Sequence, residues 1–204
     1  ISLLFLTGCI IIPKGIQTEW YDNGQKKYET NWMELKPELR ITTWYENGQK
    51  KSEGNYKDGK EEGLWTYWYD NGQKLVEGNK LDGKQEGLIT WWYENGQKKS
   101  VESYKNGNLE GLHASWYENG QKKYDSNWMK GNIETRTTNW YENGQKKSEW
   151  NFKNGKKEGG PWTEWYENGQ KESEGNYKNG KNDGLWTWWY ENGQKKSVES
   201  YKNG

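Results

Sequence analysis

The chain has 204 residues, 30 basic against 30 acidic side chains, and only 29% hydrophobic residues. Zero net charge with only two arginines, Arg40 and Arg136, excludes the basic stripe and phosphate clamps of a nucleic-acid binder. A single histidine, His113, and a single cysteine, Cys9, exclude a disulfide framework and a His/Cys metal site, and no cofactor is expected. Aliphatic content alone would place the chain near the disordered class, so the 16 Trp and 15 Tyr must supply the buried area as an aromatic ladder.

The first nine residues read ISLLFLTGC, followed by IIIPKG. The apolar run leading into Leu6-Thr7-Gly8-Cys9 resembles the bacterial lipoprotein signal. The resemblance implies a diacylglyceryl thioether on Cys9, loss of residues 1–8, and anchoring in the cell envelope. Several acyl chains hold firmly, since each buried CH2 contributes about 0.8 kcal/mol. Ile10, where an Asp would retain such a protein at the inner membrane, implies the outer membrane if the cell is Gram-negative. No Met and no basic segment precede Ile1, so the sequence reads as starting inside the signal. Residues 10–19 read as a linker.

From Trp20 onward one phrase governs the chain. WYENGQK and its variants begin at Trp20, Trp44, Trp68, Trp92, Trp116, Trp140, Trp165 and Trp189, a step of 24 residues broken once by a step of 25. A period in this range means stacked units, each burying its face only against its neighbours. The Asn-Gly of each copy predicts a type I′ hairpin turn with positive φ at both residues. In the third unit Leu64–Tyr69 would enter the turn and Lys74–Lys80 leave it, and the longer connection Lys57–Gly63 would return the chain to the next unit.

A two-residue loop pairs Asp70 with Gln73, Tyr69 with Lys74, Trp68 with Leu75, Tyr67 with Val76 and Trp65 with Gly78. Trp65, Tyr67 and Tyr69 then share an inner face with Tyr56, Tyr104 and Tyr177, and Gly78 leaves room for the ring opposite it. The Trp20/Trp44/Trp68 series forms a second, more exposed ladder. The expected fold is all-β: an elongated, twisted, solenoid-like single sheet of eight hairpins over residues 20–204.

The pattern Gly-x-Trp-x-x-Trp-Tyr-x-Asn-Gly followed by Gly-x-Tyr-x-x-Gly-Lys resembles the bacterial variant of the membrane occupation and recognition nexus (MORN) repeat. That resemblance implies a hairpin array used for binding or scaffolding rather than catalysis, in a family whose bacterial members are often labelled antitoxins. No kinase motif accompanies it. Departures come in pairs four units apart. NWMELKPELRITTWYENGQKKSEG answers NWMKGNIETRTTNWYENGQKKSEW, and WWYENGQKKSVESYKNG occurs twice, so a four-unit block is written twice. The last copy stops where its counterpart continues, which reads as a piece of a longer array.

Carboxylates recur at turn positions in every unit, whereas an active site needs a unique constellation, so no catalytic residue is expected. Asp58-Gly59 and Asp82-Gly83 give way to Asn106-Gly107 and Asn179-Gly180, which marks turn chemistry rather than calcium. His113 stands at the Trp65 position of its unit and reads as a ladder residue. The candidate binding residues are Trp91, Trp92, Trp186, Trp188 and Trp189, doubled indoles able to stack on a sugar, a peptide or a quaternary ammonium. The expected function is a non-enzymatic, lipid-anchored envelope surface that binds a protein or surface polymer. The alternatives are a glycan or cell-wall binding module and an antitoxin-like inhibitor.

Overall fold

The computed structural model describes residues 15–33, 38–130, 132–133, 136–153, 155–157 and 160–204. Cys9 and its apolar run lie outside the described residues. Among these there are nineteen strands and no helix, with seventeen strands in one sheet. The ladder is a plain antiparallel meander. Gly15–Trp20 pairs with Lys26–Met33, that strand with Glu38–Trp44, and so on through Lys50–Lys57, Lys60–Trp68, Lys74–Leu81, Lys84–Trp92, Lys98–Lys105 and Asn108–Trp116. Lys122–Met129 then leads through Thr137–Trp140, Lys146–Trp150, Pro161–Trp165 and Lys171–Lys178 to Lys181–Trp189 and Lys195–Tyr201. The short pair Phe152–Lys153 and Lys156–Lys157 forms a separate two-stranded sheet.

The two kinds of turn are the reverse of the expected assignment. In Tyr69-Asp70-Asn71-Gly72-Gln73 only Gly72 has a positive φ, +84°; the Gly72 amide donates to Tyr69 O at 3.1 Å and the Tyr69 amide to Gln73 O at 2.8 Å. This is a three-residue loop closed by a left-handed glycine, not a type I′ turn. The Asn is held out of the left-handed region by its own side chain, because Asn71 Oδ1 accepts the Gln73 amide at 2.9 Å. The type I′ geometry instead closes the return: Asp58 and Gly59 have φ of 51° and 77°, with Lys57 paired to Lys60. The expected long connection is therefore strand on both sides of a two-residue turn. Asp and Asn alternate there because both tolerate the left-handed conformation.

The longer loop moves the pairing next to the turn by one residue, to Trp68 opposite Lys74 instead of Leu75, but Leu75 then bulges out. The bulge cancels the shift. Tyr67 opposite Val76 and Trp65 opposite Gly78 stand as expected, and so do the faces.

Each copy of the phrase is a clasp on the next. Tyr21, Tyr45, Tyr69, Tyr93, Tyr117, Tyr141 and Tyr166 each donate their hydroxyl to the carbonyl of the following unit's Trp, at 2.8–2.9 Å. The Asn side-chain amide donates to the following unit's turn carbonyl, as Asn71 Nδ2 does to Glu94 O at 2.9 Å. The Gln side chain lies against the following glycine; a Cβ on Gly72 would meet Gln49 Oε1 at 3.0 Å. The repeated residues thus satisfy turn groups of the neighbour that would otherwise face only water.

The core is one side chain thick. Trp65, Ile89, Trp162 and Trp186 are buried on one face. Tyr56 meets Trp65 edge-on at 5.2 Å, and Tyr177 bridges Trp162 and Trp186 at 5.1 and 5.2 Å. The mid-strand glycines serve this row differently from the expectation. The Trp65 ring lies over Gly54 of the preceding hairpin and Trp186 over Gly175, while Gly78 makes room for Ile89. The glycine accommodates the incoming strand of the next unit, because that strand crosses the outgoing one where the pairing bulges.

Candidate interaction surface

Among the described residues seventeen of nineteen strands lie in one sheet, so each of its two faces is a candidate binding surface. On the face opposite the buried row two lines of side chains cross every hairpin. Lys26, Lys50, Lys74, Lys98, Lys122, Lys146 and Lys171 each sit 5.1–5.8 Å from the ring centre of the following unit's Trp, from Trp44 to Trp189. Desolvated only in part, each such pair contributes about 0.5–1 kcal/mol. Six of these lysines also hold the acid three residues on, as Lys50 holds Glu53 at 2.7 Å and Lys122 holds Asp125 at 2.7 Å. Beside this line runs an alternation of threonine and acid, with Thr42, Thr66, Thr138 and Thr163 buried as its floor. It is interrupted where Val101 and Ala114 face each other, and at Val198.

The five candidate tryptophans do not make one platform. Trp186 is only 4% exposed, donates Nε1–H to Asn176 O at 3.2 Å and belongs to the packed row, so it is withdrawn from the ligand-facing set. Trp188 stacks on Trp186 at 5.9 Å on that face, whereas Trp189 turns to Lys171 on the other. Trp91 and Trp92 are adjacent in the same way, Trp92 meeting Lys74 at 5.6 Å. A doubled indole in a strand puts one ring on each face. Trp91, Trp92, Trp188 and Trp189 are all partly exposed.

The Lys–Trp line was missed in the sequence, although its signal was there. A Lys follows the Gln of every copy, and the hairpin register puts it beside the next unit's Trp. A further cation, Lys157, sits 3.7 Å over Trp162, with Trp150 at 5.6 Å and Tyr177 at 5.1 Å; burial lowers its pKa.

Midway along the packed row the rings give way to Glu102, His113 and Ser126, successive partners across the strands, and to the buried Thr137. Tyr104 donates to Glu102 at 2.7 Å, and burial together with that bond pushes the phenol up to about 12. Ser126 Oγ accepts from Tyr124 at 2.7 Å and from Trp128 Nε1 at 2.7 Å. His113 lies edge-on to Tyr124 at 5.0 Å, with its Nδ1 buried and unpartnered among the described residues. Burial lowers its pKa and Glu102, 3.9 Å away, only partly offsets this. His113 is thus a ladder residue, as expected.

A base with a depressed folded pKa takes up its proton more readily when unfolded, so stability is full above pH 6.5 and falls as pH drops from there toward the folded value. The midpoint of urea unfolding should decline between pH 7 and pH 5 in the native chain and less so in His113→Gln. Identical declines in both would remove His113 from the acid response.

Among the described residues, no group of three or more His, Cys, Asp or Glu could hold a metal ion. A comparison with curated proteins finds no match. The description "MORN repeat variant" matches residues 13–33, 37–58, 61–79, 85–106, 134–154, 158–179 and 182–203, passing over the hairpin that carries His113 and Ala114 in place of Trp and Thr. Repeats of this kind are generally binding modules. With seven matches covering most of its length, the chain belongs to the MORN repeat variant family.

Proposed function

We propose that the chain is a non-enzymatic binding and scaffolding surface for a protein or surface polymer, held at the cell envelope by a lipid on Cys9. The observation that carries the binding role is the Lys–Trp line: aromatic rings and cations repeat from hairpin to hairpin on the face opposite the packed row. A surface that repeats its contacts gains through effective concentration whenever its partner repeats too. The anchoring rests on Leu6-Thr7-Gly8-Cys9, where the only cysteine of the chain ends an apolar run.

Two measurements test the two halves. With a start codon and a basic segment placed ahead of Ile1, the protein should partition with membranes and incorporate labelled palmitate, and Cys9→Ser should lose the label; equal labelling sinks the anchor. Immobilised chain should retain a component of envelope extract that the Trp91→Ala/Trp92→Ala/Trp188→Ala/Trp189→Ala variant retains at least tenfold less well. Stacked rings contribute about 1–3 kcal/mol each. The comparison counts only if the variant still melts cooperatively, and undiminished capture by such a variant returns these rings to packing.

A further inference from the structure

The chain's two arginines stand at the same point of two like grooves. Along the strand Glu38–Trp44, Arg40, Thr42 and Trp44 point to one side; Arg40 and Trp44 rise about 13 Å apart along the strand with buried Thr42 as the floor between them. Glu29 and Asn31 close the groove from one neighbouring strand, Lys50 and Glu53 from the other, around a volume of about 340 Å³. The second groove, of about 410 Å³, is formed by Arg136, Thr138 and Trp140 with Asp125 and Asn127. The charged groups match as well. Arg40 pairs with Glu53, which also holds Lys50, while Lys26 holds Glu29; Arg136 pairs with Glu149, which also holds Lys146, while Lys122 holds Asp125. Elsewhere in the array the arginine position carries Leu64, Leu88, Leu112 and Leu185, with Ile16 and Pro161 once each, all exposed.

We propose that these grooves are twin subsites for neutral hexopyranose residues of one polysaccharide, an assignment that deepens the binding-surface reading and rests on it. The carboxylates that line each groove are paired with cations in or beside it, so a ligand meets hydrogen-bonding atoms rather than a free charge. Guanidinium and ammonium N–H groups donate, carboxylate lone pairs accept, and the Thr hydroxyl and Asn amide do both; a ring bearing several hydroxyls satisfies such a mixed set where an apolar or purely anionic ligand cannot. The Trp wall takes the apolar face of the ring. The volumes lie at the small end of ligand pockets, the scale of a single ring. A peptide adding itself as a strand is disfavoured, because the strands that carry Thr42 and Thr138 each have a paired neighbour on both sides. Eight ladder steps separate the grooves, about 38 Å, within reach of one extended polymer.

The test uses the full chain with cellohexaose, maltohexaose and N-acetylchitohexaose, followed by titration calorimetry. At least one should bind more tightly than about 10 mM at two sites per chain. Arg40→Leu and Arg136→Leu should each remove one site, and the double variant both. Leucine is the residue that four of the other six units carry there, so these variants keep the fold. On the corresponding soluble polymer, a single variant should weaken binding on the order of 100-fold. Failure of all three hexasaccharides, or binding undiminished in the double variant, overturns the assignment. Binding of polygalacturonate alone, abolished by about 0.5 M salt, overturns it in favour of an anion site. If the grooves fail while the double-arginine variant still captures its envelope partner, the binding-surface reading stands without them.

Discussion

Gly54→Ala and Gly175→Ala should each destabilise the array by about 3 kcal/mol or more, a large share of the stability of a sheet whose core is one side chain thick. Neither glycine has a left-handed backbone, so the cost is not conformational. A methyl group at Gly54 would overlap the fused rings of Trp65, and at Gly175 those of Trp186. Neither ring can yield without giving up its edge-on contact with Tyr56 or Tyr177. Gly59→Ala supplies the control. Its φ is +77° and a Cβ there would meet nothing within 4 Å, so only the left-handed penalty of about 1–2 kcal/mol applies. Urea unfolding followed by tryptophan fluorescence checks the order; equal losses at Gly54 and Gly59 would mean that the ring-on-glycine contact contributes nothing.

Removing Trp92–Ser115, one full period, should leave a shorter but cooperatively folding sheet, whereas removing Trp92–Ser103 should abolish the cooperative transition. The full-period deletion joins Trp91 to Trp116, so Tyr69 finds the Trp116 carbonyl where it had Trp92, and Lys74 finds the Trp116 ring. The half-period deletion removes a turn and most of its outgoing strand, leaving two incoming strands in succession with no antiparallel partner between them. Repeat arrays tolerate the first and not the second, because each unit's stability depends on its immediate neighbours. Equal loss of strand signal by circular dichroism in both deletions would refute nearest-neighbour stability for this sheet.

What could be read in advance follows from how local each feature is. The period, the all-β class, the burial of Trp65 and the more exposed Trp20/Trp44/Trp68 line all come from spacing and alternation, which one strand and its hairpin partner determine. The turn types were interchanged because Asn-Gly and Asp-Gly carry the same local signal. The Asn71 side chain bonding to Gln73 N and Glu94 O decides between them, and that second bond reaches into the next unit. Trp91 and Trp92 show the opposite limit: they are adjacent in sequence, and the strand parts them to opposite faces, so the two rings serve different surfaces. The Arg40 and Arg136 grooves draw on three neighbouring strands each, so only the duplicated four-unit block pointed toward them.

Every side-chain clasp between units spans 23 or 24 residues, whether at Tyr21 near one end or at Tyr166 near the other. Adding hairpins therefore lengthens the array without lengthening its contacts, and mean sequence separation relative to chain length falls as units are added. Folding speed tracks that ratio, so a longer array should fold no more slowly than a short one, and each hairpin emerging from the ribosome can close onto the one before it while the next is still being synthesised.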